Sequence, residues 1–225
     1  MLPTFLSLRD EAMQKFAYDL PLRVGCGGGI STPQSVAAAF AMGADYVLTG
    51  SINQMCAESG TSEEVKQLLA KMEPHDVIMA PAADMFEMGV KLQVLRKGTM
   101  FPMRAQKLYD LYQAYSSLDE IPASVLSTIE AQIFQKPIND VWSETKAFFE
   151  DRDPSQVVRA ETDPKHKMAL VFRWYLGKSS LWAISGDSDR RMDFQIWAGP
   201  ATGAFNEWAK GSYLEAYNKI GRAHV

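Results

Sequence analysis

Two glycine-containing segments each follow a predicted strand within residues 24–51. Gly28 and Gly29 come after the first strand, and Gly50 and Ser51 come after the second. Because glycine lacks a Cβ, its backbone can approach an anion closely and turn N–H groups toward it. The Ser51 hydroxyl would add one further donor. The spacing therefore predicts a phosphate site built from main-chain donors at two neighbouring strand ends.

Other glycine-rich phosphate motifs do not fit this window. In a dinucleotide fingerprint the last glycine opens the helix directly, whereas here Ser31, Thr32 and Pro33 intervene. No Gly-Lys-Ser follows either strand, so the segment is not a Walker loop. A tight turn without a ligand stays an alternative for three consecutive glycines. The second glycine-bearing strand end favours the phosphate site.

The elements around these glycines form a predicted βαβ unit. Thr32 is a good N-cap and Pro33 suits the first helical position, so a helix should cover Ser35–Met42 before Gly43 ends it. The strands on either side are predicted at Leu22–Cys26 and Asp45–Thr49, and a crossover of this length makes them parallel.

Flanking helices are predicted before and after this unit. One covers Leu6–Tyr18, and a capping box of Thr61 and Glu64 begins another over Glu63–Met72. A helical start near Ser51–Met55 would add its positive end to the phosphate site.

After residue 75 the alternation of strand and helix ceases. Helical patterns cover residues 105–116, 122–135, 139–150, 164–177 and 203–210. We therefore expect an α/β domain over residues 1–75 and a mostly helical region over residues 76–225. Two parallel strands do not form a stable buried sheet by themselves, so further strands are expected from a preceding segment.

Composition indicates which partners and which cellular environment the chain suits. The net charge of −4, from 23 basic and 27 acidic residues, gives no electrostatic footprint for nucleic acid or an anionic membrane surface. Cys26 and Cys56 lack metal-ligand or disulfide-scaffold spacing, which fits free thiols in a reducing, cytoplasmic environment. No stretch approaches the roughly 18 apolar residues of a membrane span, and no signal peptide precedes Arg9.

Histidines and aromatic residues yield no second site. His75, His166 and His224 are scattered, which argues against a metal centre, and His166 beside two lysines is interpreted as a solvated helix start. The apolar run Met168–Gly177 is interpreted as a core helix, and the polar turn Gly186–Arg191 is assigned no function.

Longer blocks of the sequence carry a family resemblance. Cys26–Ile30 and the run from Gly43 to Ser51 resemble the last two βα units of flavin-binding barrels of the nitronate monooxygenase and enoyl-reductase type. Four further blocks resemble PfaD-type proteins, the trans-acting enoyl reductases of polyunsaturated fatty acid and polyketide synthases. These blocks are "GSINQMCAESGTSEEVKQLL", "APAADMFEMGVKLQVLRKGTMFPMRAQKLYDLY", "DPKHKMALVFRWYLG" and "GPATGAFNEWAKGSYLE".

This resemblance implies a fold and a reaction. The fold would be the carboxyl-terminal part of a TIM (β/α)₈ barrel, its last two βα units, followed by the helical region. An FMN phosphate would lie between Gly28 and Gly29 on one side and Gly50 and Ser51 on the other. NADPH would reduce the flavin, which would pass hydride to the β-carbon of an enoyl thioester on an acyl carrier protein. Polyketide or fatty acid synthase subunits would be partners.

The resemblance also implies that this chain is a carboxyl-terminal fragment that ends early, at "YNKIGRAHV", of a parent about twice as long or more. A catalytic proton donor would then lie upstream, so the catalytic residues are unknown. Arg96, Lys97 and Arg104 are interpreted as solvated surface, or as contacts for a carrier protein or its phosphopantetheine phosphate. Two alternatives stay open, a nitronate monooxygenase-like flavin oxidase and a non-catalytic docking module for carrier proteins.

Overall fold

The computed structural model describes residues 1–215, and these residues form two compact units. The first unit contains Met1–Val77 together with the residues from Ala198 onward, and the second contains Ile78–Trp197. The sequence placed the first boundary two residues earlier, at residue 75. It also grouped residues 198–215 with the helical region, whereas the structure packs these residues with the first unit. His224 and the rest of the "YNKIGRAHV" segment lie outside the described residues.

Elements of the first unit follow a helix–strand–helix–strand order. They are α1 (Leu2–Phe16), β1 (Gly25–Gly27), α2 (Pro33–Ala41), β2 (Tyr46–Leu48), a 3₁₀ segment (Ser51–Met55) and α3 (Glu63–Ala70). Elements of the second unit are β3 (Val77–Pro81), which begins at the boundary, β4 (Lys91–Leu95), α4 (Phe101–Ala114), α5 (Ala123–Ile129), α6 (Ile138–Arg152), α7 (Pro154–Thr162) and α8 (Pro164–Ser185). The last helix, α9 (Pro200–Ala209), returns to the first unit.

The predicted βαβ unit is confirmed. β1 and β2 pair in parallel, with Gly27 opposite Leu48, although each strand is shorter than expected. Thr32 caps α2 as predicted, since its Oγ1 accepts from the Ser35 amide at 3.3 Å. The Ser35 hydroxyl accepts in return from the Thr32 amide at 3.0 Å, which completes a capping box.

The predicted start of α3 at Glu63 is confirmed, but its predicted capping residue is wrong by one position. Ser62, not Thr61, is the N-cap, because its Oγ accepts from the Val65 amide at 3.4 Å. Serine and threonine are both good capping residues. The oxygen that reaches the free amides belongs to the residue with extended backbone immediately before the first helical residue, which here is Ser62.

Two strands of the second unit were not predicted. β3 and β4 form a separate two-stranded sheet in a region that the sequence assigned as mostly helical. Both strands are only five residues long, and three consecutive residues of β4, Lys91–Gln93, are not fully buried. A short strand with such a mixed pattern carries little period-two signal.

The core of the second unit is centred on α4 and α8. The interpretation of Met168–Gly177 as core is confirmed, because every residue of Met168–Phe172 is inaccessible to solvent. Aromatic rings fill much of the volume between the helices, and Phe134 stacks on Phe172 with centroids 6.3 Å apart. The core cluster also contains Phe86, Phe101 and Tyr175.

The interpretation of His166 as solvated is wrong. Its side chain is buried at the start of α8, where Nδ1 lies 2.7 Å from Glu87 Oε1. The N-cap Asp163 accepts from the His166 amide at 3.0 Å. Its neighbours mislead the sequence pattern, because helix periodicity turns His166 inward while Lys165 and Lys167 remain partly exposed.

Candidate functional site

The structure brings the four predicted phosphate-site residues to one edge of the first unit. Gly27 and Leu48 are opposite each other in the parallel register, so the chain leaves both strands at the same edge. Gly28 and Gly29 follow the first strand directly. Gly50 and Ser51 follow the second after a single residue.

Backbone geometry at Gly28 and Gly29 requires glycine. Their φ angles are +83° and +74°, in the left-handed region that L side chains rarely adopt. A Cβ added at either position, or at Gly50, would meet no heavy atom within 4 Å. These glycines therefore border open space, which is the arrangement that lets an anion approach the main chain.

Local hydrogen bonds hold the loop after β2. The Asn53 side-chain amide donates to the Thr49 carbonyl at 2.9 Å, and the Asn53 main-chain amide donates to the Gly50 carbonyl at 3.0 Å. The helical start expected here is a 3₁₀ segment of five residues. Such a short segment has little macrodipole, so the glycine and serine donors matter more than its end.

A side chain of this loop contacts the amino end of α9. The Gly199 amide donates to Ser51 Oγ at 3.2 Å. α9 is fixed against α3, because Asn206 Nδ2 donates to the Leu69 and Met72 carbonyls, each at 2.8 Å. Sequence reasoning missed this contact, since the two segments are 148 residues apart.

A buried lysine holds the segment that follows the 3₁₀ turn. Lys66 is 3% exposed, and its Nζ donates to the Ala57 carbonyl at 2.9 Å and to Glu63 Oε1 at 3.0 Å. Burial raises the pKa of the nearby Cys56 thiol, with a further increase from the Glu58 carboxylate and an opposing effect of Lys66. Cys56 is thus kept as a neutral thiol, and both cysteines are free.

The second unit contains a buried polar cluster that the sequence missed. Asp193, 1% exposed, accepts from the Tyr175 hydroxyl at 2.7 Å and pairs with Arg104. Arg190 Nη1 lies 3.2 Å from the other Asp193 oxygen, and its Nη2 donates to the Phe134 carbonyl at 3.0 Å. Burial raises the pKa of the Tyr175 phenol well above its usual value, and the Asp193 carboxylate raises it further. The polar run "GDSDRR" shortly precedes Asp193 and was the signal available in the sequence.

This cluster changes the interpretation of Arg104, which the sequence grouped with Arg96 and Lys97. Arg104 forms an ion pair with Asp193. Burial opposes the charged form of Arg104, but the hydrogen bond to Asp193 has the larger combined effect with the Asp193 charge, and the pKa of Arg104 is raised. Arg96 and Lys97 are exposed, as expected for solvated surface. Arg104 therefore acts as a structural counter-ion and is no longer a candidate for the carrier-protein phosphate.

One cluster of potential metal ligands lies among the described residues. Glu73, His75 and Asp76 place potential metal-ligand atoms within 4.8 Å of one another, but Asp76 Oδ2 already accepts from the Glu73 amide at 2.9 Å and closes the turn after α3. Across residues 1–215, every helix is too short or too polar to cross a bilayer.

Comparison with known proteins covers nearly all of the chain. It is 51% identical over 219 residues to a polyunsaturated fatty acid synthase subunit of Thraustochytrium sp.. It is 50% identical over 215 residues to the polyketide biosynthesis protein PksE of Bacillus subtilis. Each match includes 96% of this chain, but the chain spans only 15% and 28% of the respective relatives.

A solved structure and a family model add to these matches. The enoyl reductase domain of MlnA, from the macrolactin biosynthesis cluster of Bacillus amyloliquefaciens, superimposes with a TM-score of 0.90 at 42% identity. That match covers 97% of this chain and 49% of the MlnA chain. Residues 115–194 match the model for the inserted helical domain of [acyl-carrier-protein] S-malonyltransferase.

Proposed function

This chain belongs to the PfaD-type family that its sequence resembled, and we propose on that basis that the protein carrying it is an FMN-dependent enoyl reductase. The chain is related to subunits of polyunsaturated fatty acid and polyketide synthases and to an enoyl reductase domain. The substrate that we propose is an α,β-unsaturated acyl thioester on an acyl carrier protein, with NADPH as the reductant.

One observation carries the cofactor part of this proposal. Gly28 and Gly29, with positive φ, border the same edge as Gly50 and Ser51, and the space beside all three glycines is open. A phosphate monoester fits such a site, because main-chain N–H groups can surround it without a side chain in the way. These residues would hold the phosphate end of FMN. When bound, FMN would supply the hydride carrier that the polypeptide lacks.

Exposed apolar residues support the barrel part of the proposal. Within the described chain, α1 has no buried residue, and Leu20 and Leu48 are 78% and 63% exposed. A two-stranded parallel sheet normally has strands beside it and helices on both faces. We propose that further strands of a (β/α)₈ barrel cover these surfaces in the parent protein, and that the catalytic acid lies on those strands.

Turnover by the parent protein tests this function. Purified parent with NADPH and a crotonyl-type thioester on a carrier protein should give the saturated thioester, identified by a mass about 2 Da higher for the two hydrogens added. A crotonyl group that stays unsaturated while NADPH is oxidised would reject the enoyl reductase. Oxidation of an alkyl nitronate in the same preparation would favour the flavin oxidase instead.

A second function has one specific observation in its favour. Residues 115–194 match a helical domain of an enzyme that acts on an acyl carrier protein. The second unit would then serve as a docking module for such a partner. Binding of a carrier protein to the parent, without any flavin in the purified protein, is the result that this alternative requires.

A further inference from the structure

A contact between a side chain and the main chain joins β1 and β2 at the end opposite the glycine loops. Val24 precedes β1 and Asp45 precedes β2, and the two residues lie opposite each other when the parallel register is extended by one position. The Asp45 amide donates to the Val24 carbonyl at 2.8 Å, and the Val24 amide donates to Asp45 Oδ2 at 2.8 Å. One aspartate therefore satisfies both main-chain polar groups of Val24.

The strand pair by itself specifies its register weakly. β1 is the tripeptide Gly25–Gly27, in which Cys26 alone has a side chain. Register is normally fixed by the side chains that must lie on the buried face, and glycine-rich strands carry little of that information. A strand of three residues also has few hydrogen bonds to resist a slip. A contact from outside the strands therefore has a large influence on how they align.

The Tyr46 ring favours the same alignment. Gly25 and Tyr46 are paired in the register, and a Cβ added at Gly25 would lie 2.4 Å from the Tyr46 ring. The ring thus covers the glycine directly, and a slip of one residue would place a residue with a Cβ opposite it. Asp45 and Tyr46 both support the register in which Gly27 lies opposite Leu48.

Arg9 of α1 approaches the same carboxylate. Its Nη1 lies 3.3 Å from Asp45 Oδ2, the oxygen that accepts from Val24, and Arg9 also pairs with Asp10. The side chains of Arg9 and Asp45 are 23% and 36% exposed. Because ion pairs at such exposed positions contribute little to stability, the charge of Asp45 matters less than the position of its oxygen.

We propose that Asp45 is a positioning residue, which fixes the register of β1 against β2 and thereby the distance between the two phosphate-binding loops. A slip of one residue would shift Gly28 by about 3.3 Å along the strand direction relative to Gly50. Main-chain donors displaced this far would no longer reach the same phosphate, since hydrogen bonds need N···O distances of about 2.7–3.2 Å. This inference rests on the proposed function, because it concerns the phosphate that these loops would bind.

The ratio of FMN affinity to riboflavin affinity in the parent protein tests this role, because riboflavin lacks the phosphate. Asp45→Ala removes the acceptor of the Val24 amide. We expect the FMN dissociation constant to rise about tenfold, while that of riboflavin stays unchanged. Asp45→Asn keeps a side-chain oxygen at the same position and should bind FMN as the wild type does. Asp45→Glu keeps the charge but moves the carboxylate by one methylene, so its FMN affinity should fall.

Asp76→Ala is the matched control for the loss of such a hydrogen bond. Asp76 belongs to the same unit, and its Oδ2 accepts from the Glu73 amide at 2.9 Å in the turn after α3. This variant should lower the melting temperature of the cofactor-free protein, as Asp45→Ala does, but leave the affinity ratio unchanged. A merely structural role of Asp45 predicts the same behaviour for both variants. An unchanged ratio in Asp45→Ala would therefore overturn the proposal.

The asparagine and glutamate variants carry the test if Asp45→Ala does not fold. Weaker FMN binding by Asp45→Asn than by Asp45→Glu would show that the charge matters rather than the position of the oxygen. Equal FMN affinity in the two variants would show that this position has no effect. Either result overturns the proposal.

Gly29→Val in the same assay separates this inference from the proposed function. Loss of FMN binding in Gly29→Val together with an unchanged affinity ratio in Asp45→Ala would reject the positioning role alone. Full FMN binding in Gly29→Val, or no FMN binding by the wild type, would reject the phosphate site and the positioning role with it.

Discussion

The Gly199 amide donates to Ser51 Oγ at 3.2 Å and joins residues 148 positions apart. Because the serine oxygen accepts this hydrogen bond, its own proton remains available to a further acceptor. The contact therefore connects α9 to the loop after β2 and also orients the hydroxyl that the sequence assigned to the phosphate site.

Ser51→Ala should affect stability and cofactor binding together. The Gly199 amide would lose its acceptor, which we expect to lower the free energy of unfolding by about 1 kcal/mol. Loss of the hydroxyl should also weaken FMN binding about tenfold in the parent. Urea unfolding and fluorescence titration measure the two effects. Ser143→Ala is the control, because its hydroxyl donates within α6 in the second unit. Unchanged FMN affinity in Ser51→Ala would remove Ser51 from the site.

Gly29→Val should abolish most FMN affinity in the parent protein. The valine side chain would fill the open space beside the backbone, and a φ of +74° is strained for it. We expect the dissociation constant to rise at least about a hundredfold, since the main-chain donors would be displaced. Gly211→Val is a matched control, with a φ of +75° and equally open space. A similar loss in both variants would point to backbone strain rather than to the phosphate.

Gly203→Ala should destabilise the first unit. A methyl group there would overlap the backbone of Glu73 and Pro74 and push α9 away from α3. We expect a loss of about 1–3 kcal/mol, as for other overpacked sites. Gly177→Ala is the control, because this glycine is also helical but has no atom within 4 Å of an added Cβ. That control should be stabilised by about 0.5–1 kcal/mol. Equal stability of both variants would contradict the observed packing of α9.

Tyr175→Phe should change how stability depends on alkaline pH. Burial and Asp193 raise the pKa of the Tyr175 phenol above its unfolded value near 10. The folded protein thus keeps a proton that the unfolded chain releases, and stability should fall as the pH rises above about 10. Urea unfolding between pH 8 and 11 should show a smaller decrease for Tyr175→Phe than for the wild type. Tyr213→Phe, at an exposed position, should behave as the wild type. Identical slopes in Tyr175→Phe and the wild type would show that this phenol is not linked to folding.

The local parts of the fold could be predicted from the sequence. Thr32, Pro33 and Gly43 act within one helix, and the glycines at the strand ends act within their own turns. Such signals depend on neighbours a few residues away, so the βαβ unit and the relative placement of the two glycine loops followed from them.

Long-range contacts could not be predicted in the same way. Nothing near Ser51 indicates that Gly199 will contact it. The choice of Ser62 over Thr61 as the cap depends on backbone geometry that both residues could adopt. His166 was misread because two lysine neighbours outweighed a buried orientation that only the packing of the second unit determines.

An absorbance spectrum of the purified parent protein tests the central claim most directly. NADPH is added without air, followed by a crotonyl-type thioester on an acyl carrier protein. Our account predicts a flavin spectrum that bleaches with NADPH and recovers on addition of the thioester. A colourless protein, or a bleached flavin that recovers only with oxygen or a nitronate, would contradict it.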